Sequence, residues 1–298
     1  MIARLLSPLD PALISPAASA SAPLGTSLRY LGTAGFVLTG GQQTVVLDPF
    51  LSRPGLLATG LRPLAVDHDR LRSELPHADA VLVGHAHHDH VLDAPDLCLQ
   101  TGARFYGGPD ACNVARAAGL PERQIVETRG REDHHVGPVR LRALPAAHGR
   151  VYFNRVTLPG SIPAPPPWPP RLRDLRHGLV LNWLVEIEGV RVLHVDSAEF
   201  HREELLALPL RNGRRAEVAC LCAIGRRYRS RYLEEAIDLL RPHTVVACHW
   251  DWFFTPWGAP PRLLPGVDLG GFVRDVRQLG STPAVLPFGS WMPLSPYP

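Results

Sequence analysis

Past residue 26 the apolar positions fall into short runs with a two-residue beat. In LRYLGTAGFVLTGGQQTVVLDPF three runs stand out, Leu28–Leu31, Phe36–Thr39 and Thr44–Leu47. Gly40-Gly41 separates the last two and signals a hairpin. A helix-like stretch follows near Asp67–Leu75, and then DAVLVG reads as a buried strand. ARFYGG and VRLRAL read as strands, and PDACNVARAAG as a helix with Pro109 at its start and Gly119 at its end. GLVLNWLVEIEGVRVLHVDS predicts two strands turning at Glu188-Gly189. VACLCAI and HTVVACH are further strands. Between them SRYLEEAIDLLRP is an amphipathic helix opened by Ser230 and closed before Pro242. A helix in GGFVRDVRQLG and a strand in PAVLPF complete the series. Hairpins interspersed with helices predict two packed sheets with helices outside.

Two segments break this rhythm. One is Val151–Gly178, with the run IPAPPPWPPR; the other is HWDWFFTPWGAPPRLLP at 249–265. A long proline-rich insertion in a compact domain is usually a functional lid or a disordered loop. Residues 1–26 read as a loose extension, and 27–298 as one domain carrying the insertion at 151–178.

The chain of 298 residues is 45% hydrophobic, enough for a sizeable core. Its basic residues are all arginine, and the net charge is only +3. Such a balance argues against nucleic acid, which needs a clustered basic face. Five cysteines with no CxxC pair do not make a disulfide framework, so a reducing, cytoplasmic setting is expected. Prolines and Asp10 interrupt the N-terminal apolar run, leaving secretion as the weaker alternative. No stretch approaches the roughly 20 apolar residues of a membrane span. Self-association is left open.

The chemistry concentrates in GHAHHDH at 84–90, directly after the strand DAVLVG. His85 and His87, two apart, point the same way in extended backbone. Asp89 and His90 follow where the chain turns. One loop can thus offer two imidazoles to one metal ion and a carboxylate plus an imidazole to another. Imidazole suits zinc, iron or nickel, and carboxylates add affinity for harder divalent ions. One loop cannot close two sites. His148, Asp196 and His249 each follow an apolar strand and are candidates to complete them.

These residues resemble the metallo-β-lactamase superfamily. The signature H-x-H-x-D-H stands as His85, His87, Asp89 and His90, followed in order by His148, Asp196 and His249. The resemblance runs from about Leu28 to Phe288. AIGRRYRSRYLEEAIDLLRPHTVVACHW is similar to the branch of ascorbate-6-phosphate lactonases and N-acylphosphatidylethanolamine phospholipase D types. The resemblance implies an α/β fold, a four-layer αββα sandwich of two mixed sheets flanked by helices. It implies His85, His87 and His148 on a first metal ion, Asp89, His90 and His249 on a second, and Asp196 bridging. Asp89 would also orient the nucleophile. The implied enzyme is a metal-dependent hydrolase using a metal-bridging hydroxide, with two divalent ions, zinc first and manganese or iron also compatible. The bond would be an ester, lactone or phosphodiester in a small or lipid-like substrate. An iron-dependent redox member of the fold and a catalytically silent binding protein are the alternatives. Asp196 is followed by Ser197 where many relatives have threonine, and the proline-rich insertion has no counterpart there.

Around this set the readings are less specific. Asp48 is either a turn residue before Pro49 or a hydrogen-bond partner of a ligand histidine. His88 reads as a spacer facing away, His134-His135 as a solvated turn, and His177 carries no signal. His194 is either a packed strand residue or a partner behind the ligands. Tyr228 and Arg226 lie on a loop that could reach substrate. Trp250, Trp252, Phe253, Phe254 and Trp257 read as a pocket wall or lid, with Tyr228, Trp250 and Phe253 taken as substrate-binding.

Overall fold

The computed structural model describes residues 6–296. The first sheet is built from β1 (Ser27–Gly32), β2 (Gly35–Gly40), β3 (Gln43–Leu47), β4 (Ala80–Leu82), β5 (Arg104–Gly107) and β6 (Ile125–Glu127). The second holds β7 (Asp133–Val136), β8 (Val139–Ala146), β9 (Val180–Ile187), β10 (Val190–His194), β11 (Val218–Cys222), β12 (Thr244–Cys248) and β13 (Thr282–Ala284). The last strand, β14 (Trp291–Pro293), crosses back to pair with β1. The orders are β14-β1-β2-β3-β4-β5-β6 and β13-β12-β11-β10-β9-β8-β7. Each sheet is thus an antiparallel meander that continues into parallel strands, from β3 onward in one and from β10 onward in the other.

The tight turns follow from local chemistry. Gly41 and Gln42 have φ of 56° and 64°, and Glu188 and Gly189 have φ of 46° and 80°. Paired left-handed residues of this kind match the right-handed twist of a hairpin. Period-2 alternation then sorts side chains between two cores. Val45, Leu47, Ala80 and Leu82 face the second sheet and join Leu141, Trp183 and Val185. Val46, Val81 and Val83 face outward onto Leu71, Leu97 and Val114. These last three belong to helices α2 (His68–Glu74), α4 (Ala94–Thr101) and α5 (Pro109–Ala117), while the short helices α1 (Leu56–Leu61), α6 (Arg202–Leu206) and α7 (Gly225–Tyr228) lie in the connections. The second sheet is covered by α8 (Tyr232–Leu240) and α9 (Leu269–Gln278), whose Leu233, Leu240 and Phe272 enter the larger core.

Several expectations change. Residues 6–26 are not loose: Ser15 N–H donates to Val285 O at 2.9 Å, and Ser19 and Trp291 exchange backbone bonds at 2.8 and 2.7 Å. A chain segment so paired with the C-terminal elements gains partners for backbone groups that would otherwise face water. Residues 1–5 of the extension lie outside the described residues. The histidines of EDHHV form edge strand β7 rather than a solvated turn. Helix α8 begins after Arg231, at φ 55°, and not at Ser230. The proline-rich insertion is packed, since Ile162 and Leu175 are buried. Asp110 holds it by accepting Ile162 N–H at 2.5 Å and Leu179 N–H at 3.0 Å. No helix among the described residues is long and apolar enough to cross a membrane.

Asp93 ties the loop after β3 to the start of α4. Its carboxylate accepts the Leu51 and Ser52 N–H groups at 2.6 and 2.8 Å and the Ser52 hydroxyl at 2.5 Å. Burial nevertheless raises its pKa from 3.8 to about 6, against those hydrogen bonds. The native state therefore binds the extra proton across that window, and stability falls as pH rises through it. Asp93→Asn should remove this slope. Urea denaturation of both proteins should show the variant gaining on the wild type by up to about 3 kcal/mol between pH 4 and pH 6. Parallel pH profiles would show that Asp93 is not the source.

Candidate metal centre

The carboxyl ends of β3, β4, β8, β10 and β12 meet along one edge, where the two sheets open. The chain leaves β4 through Gly84, whose N–H donates to Asp48 Oδ1 at 2.8 Å. Only glycine fits there, because a Cβ would stand 2.0 Å from Asp196 Oδ1. His87 is extended, at φ −69° and ψ 153°, and α3 (His88–Val91) is a single helical turn. The extended part aims His85 and His87 together, and the turn then swings Asp89 and His90 to a second position. Ala86 N–H donates to His177 O at 3.0 Å, and Leu181 N–H to Gly84 O at 2.8 Å. Strand β9 of the other sheet thereby holds the loop.

The structure brings together all of the expected ligand residues. His85, His87 and His148 present nitrogen atoms that lie within 4.8 Å of one another, as do the ligand atoms of Asp89, His90 and His249. Asp196 groups with His85 and His90, between the two sets. Within the first set His85 Nε2 faces His87 Nδ1 at 2.9 Å. Within the second, His90 Nε2 faces His249 Nε2 at 3.3 Å, with Asp89 Oδ2 at 3.6 Å from the former. The opposite ring nitrogens are occupied. His85 Nδ1 lies 2.5 Å from Asp196 Oδ2, and His148 Nδ1 lies 2.7 Å from Gly149 O. Fixing one nitrogen with an oxygen leaves the other as a lone pair directed at the centre. Asp196 meets the Nδ1 atoms of His85 and His90, so it joins the sets through nitrogens that do not face His87 or His249.

The electrostatics favour a cation. Burial lowers the pKa of His85 to about 3 and that of His249 to about 4, and lowers His87 and His148 as well. These imidazoles are neutral, as ligands must be. Burial also works against charge on Asp89, but the surrounding His90, His88 and His249 hold its carboxyl well below the usual range. Asp196 is ionised for the same reason, through His85 and His90. His90 is the exception: its own burial is outweighed by Asp196, Asp89 and Asp48, which push it well up. His90 Nδ1 and Asp196 Oδ1 approach to 2.8 Å yet make no aligned hydrogen bond, and both are buried. Buried polar atoms left without a hydrogen-bond partner beside histidines and carboxylates fit a site that takes a cation.

Asp48 lies behind the ligands, with Oδ2 at 3.2 Å from His90 Nδ1. His194 stands 3.7 Å from the same oxygen. His88 is buried, its ring edge-on to Phe50 at 5.5 Å. His177 is a residue that sequence reasoning passed over. Its ring stacks on His148 at 5.6 Å and meets His87 edge-on at 5.9 Å. Nothing local to His177 signals this, since it reaches the centre only by the folding of the insertion.

A cavity of about 300 Å³ opens over the ligands, walled by Val151, Tyr152, Leu158, Leu172, Phe253 and Leu264. Phe253 lines this cavity. Trp250 does not; it is fully buried, stacked on Tyr30 at 5.8 Å and Phe288 at 6.2 Å. Tyr228 lines a second cavity on the other side of His148, with Arg150, His177 and Arg229. Arg226 is engaged by Asp268 and Asp275.

A family model described as a beta-lactamase superfamily domain matches residues 43–210. A curated metal-dependent hydrolase of Anaeromyxobacter dehalogenans is 28% identical over 246 residues, covering 80% of this chain and 79% of the relative. One from Symbiobacterium thermophilum is 27% identical and covers 87% and 96%. Among solved structures, a metallo hydrolase from Ignicoccus hospitalis superposes with a TM-score of 0.58 at 21% identity, over 91% of this chain and 99% of that one. CmlA, a diiron β-hydroxylase from Streptomyces venezuelae, gives 0.58 at 18% identity, over 90% of this chain and 54% of that one. At these identities the likeness is one of fold.

The Gly84 contact gives a direct test of the packing. Gly84→Ala should force the Asp196 carboxylate away at a cost on the order of 1–3 kcal/mol. Metal affinity should fall roughly 10–100-fold, read by competition with a chromophoric chelator. Wild-type affinity in a folded Gly84→Ala protein would contradict the close approach.

Proposed function

The chain belongs to the beta-lactamase superfamily, with metal-dependent hydrolases as its curated relatives, and from that premise we propose a dinuclear hydrolase. One observation carries it: two separate sets of buried and half-buried donors, His85-His87-His148 and Asp89-His90-His249, with Asp196 between them. The first set would hold one divalent ion and the second another, with Asp196 shared. Zinc is the ion proposed, because the donors are mainly imidazole with few carboxylates. Two such ions supply an activated water at neutral pH and polarise the oxygen under attack.

The chain's own residues do the rest. Asp89, held ionised by its histidines, accepts a hydrogen bond from the attacking water and fixes its direction. Gly149 O fixes the ring of His148 from outside, and the Asp48 carboxylate lies 3.2 Å behind His90. The walls formed by Val151, Leu158, Leu172 and Phe253 exclude water and receive an apolar group. This supports an ester, lactone or phosphodiester of a small or lipid-like substrate. The five cysteines are free and buried, which supports a reducing, cytoplasmic setting.

The ligand set also suits iron, and the fold is shared with the diiron CmlA, so an oxidative activity is the second reading. Metal quantification on the purified protein, with a screen of p-nitrophenyl esters, bis-p-nitrophenyl phosphate and lactones, separates the two. The expected result is two zinc ions per chain and hydrolysis that a strong chelator removes and zinc restores. His85→Ala should lower kcat/KM roughly 10³-fold, about 4 kcal/mol of transition-state stabilisation. Hydrolysis that survives complete metal removal would sink the mechanism.

A further inference from the structure

Two residues after His249, a buried ion pair holds the chain in a way that the metal ligands alone do not explain. Asp251 and Arg53 have fully buried side chains, with Arg53 Nη2 at 2.5 Å from Asp251 Oδ2. Asp251 Oδ1 accepts the Thr33 N–H at 2.7 Å and the Tyr30 hydroxyl at 2.5 Å. Arg53 Nε donates to Thr255 O at 2.7 Å, and its guanidinium lies over Phe288 at 4.5 Å. The pair therefore clamps the turn after β1, the loop after β3 and the loop after β12.

His249 depends on that clamp. Its N–H donates to Thr33 O at 2.6 Å, the carbonyl of the residue whose N–H Asp251 holds. His249 and Thr33 sit at φ 48° and 55°, and Arg53 at 40°. Left-handed backbone at three non-glycine residues persists only where surrounding contacts over-determine it. Gly32 makes room: at φ 86°, a Cβ there would stand 2.3 Å from Arg53 Nη1. A buried ion pair is weak evidence of net stabilisation, since apolar residues of like volume often serve as well. Its position beside a strained loop calls for a role in geometry.

We propose that Arg53 and Asp251 are positioning residues that set His249 against Asp89 and His90 for the second ion. The inference rests on the dinuclear reading above. It predicts a selective effect, because His85, His87 and His148 are carried by β4 and β8, which the pair does not touch.

Asp251→Asn should stay folded by circular dichroism and keep one zinc ion at wild-type affinity. The second ion should bind roughly 10–100-fold more weakly in chelator competition. Two ions at wild-type affinity, or equal weakening of both, would overturn the proposal. Should Asp251→Asn fail to fold, Tyr30→Phe decides, because it removes one hydrogen bond to Asp251 without stranding a charge. A selective several-fold weakening of the second ion supports the proposal, and unchanged binding overturns it. A wild-type protein that binds a single ion would fail the dinuclear reading itself, and this inference with it.

Discussion

Five imidazoles and two carboxylates are gathered into one buried edge, and the protein's own groups cannot satisfy all of their lone pairs at once. Ring nitrogens face one another across 2.9 Å at His85 and His87 and 3.3 Å at His90 and His249. His90 Nδ1, Asp196 Oδ1 and Asp48 Oδ2 are buried without a hydrogen-bond partner, which is costly in a medium of low dielectric unless a cation compensates. Much of the surrounding structure can be read as the means of holding this edge. Gly84 lets Asp196 approach the backbone, Gly149 O meets the outer nitrogen of His148, Asp48 lies behind His90, and the Arg53–Asp251 pair ties the loop after β12 to those after β1 and β3.

The parts legible in the sequence are those where a residue's neighbours along the chain decide its environment. DAVLVG is apolar on both faces, and its strand β4 does lie between helices and the second sheet. GHAHHDH is legible because extended backbone and one helical turn act over a few residues. The same locality explains what was hidden. Strand β7 shows no apolar beat, because DHHV is a half-solvated edge that alternates only between exposed and partly buried. Trp250 follows a metal-ligand candidate and looked like a pocket wall. The left-handed turn at His249 instead sends it into the stack of Tyr30 and Phe288. His177, Arg53 and Asp251 gain their surroundings only from distant chain segments, which no window on the sequence contains.

The proline-rich insertion shows how a departure from regular patterning still serves the centre. Its start supplies Val151, Tyr152 and Leu158 to the cavity, and its end delivers His177 against His148. Asp110 at the head of α5 anchors the middle. Prolines lower the entropy lost when such a strap is ordered, so few hydrogen bonds suffice to hold it. The strap lies between the apolar cavity and the more polar one beyond His148, where Arg150, Tyr228 and Arg229 stand. His148 is therefore reached from two chemically different sides.

Neither sheet can complete the centre alone. The first supplies Asp48 and the run from His85 to His90; the second supplies His148, Asp196 and His249. Every donor set with the reach to hold an ion takes members from both. Ion binding is thus inseparable from docking of the two sheets across the Leu47, Leu82 and Trp183 core. A ligand that binds only the docked state stabilises it by mass action, about 4 kcal/mol at a thousand times its Kd. The proposed ions would then be structural as well as chemical.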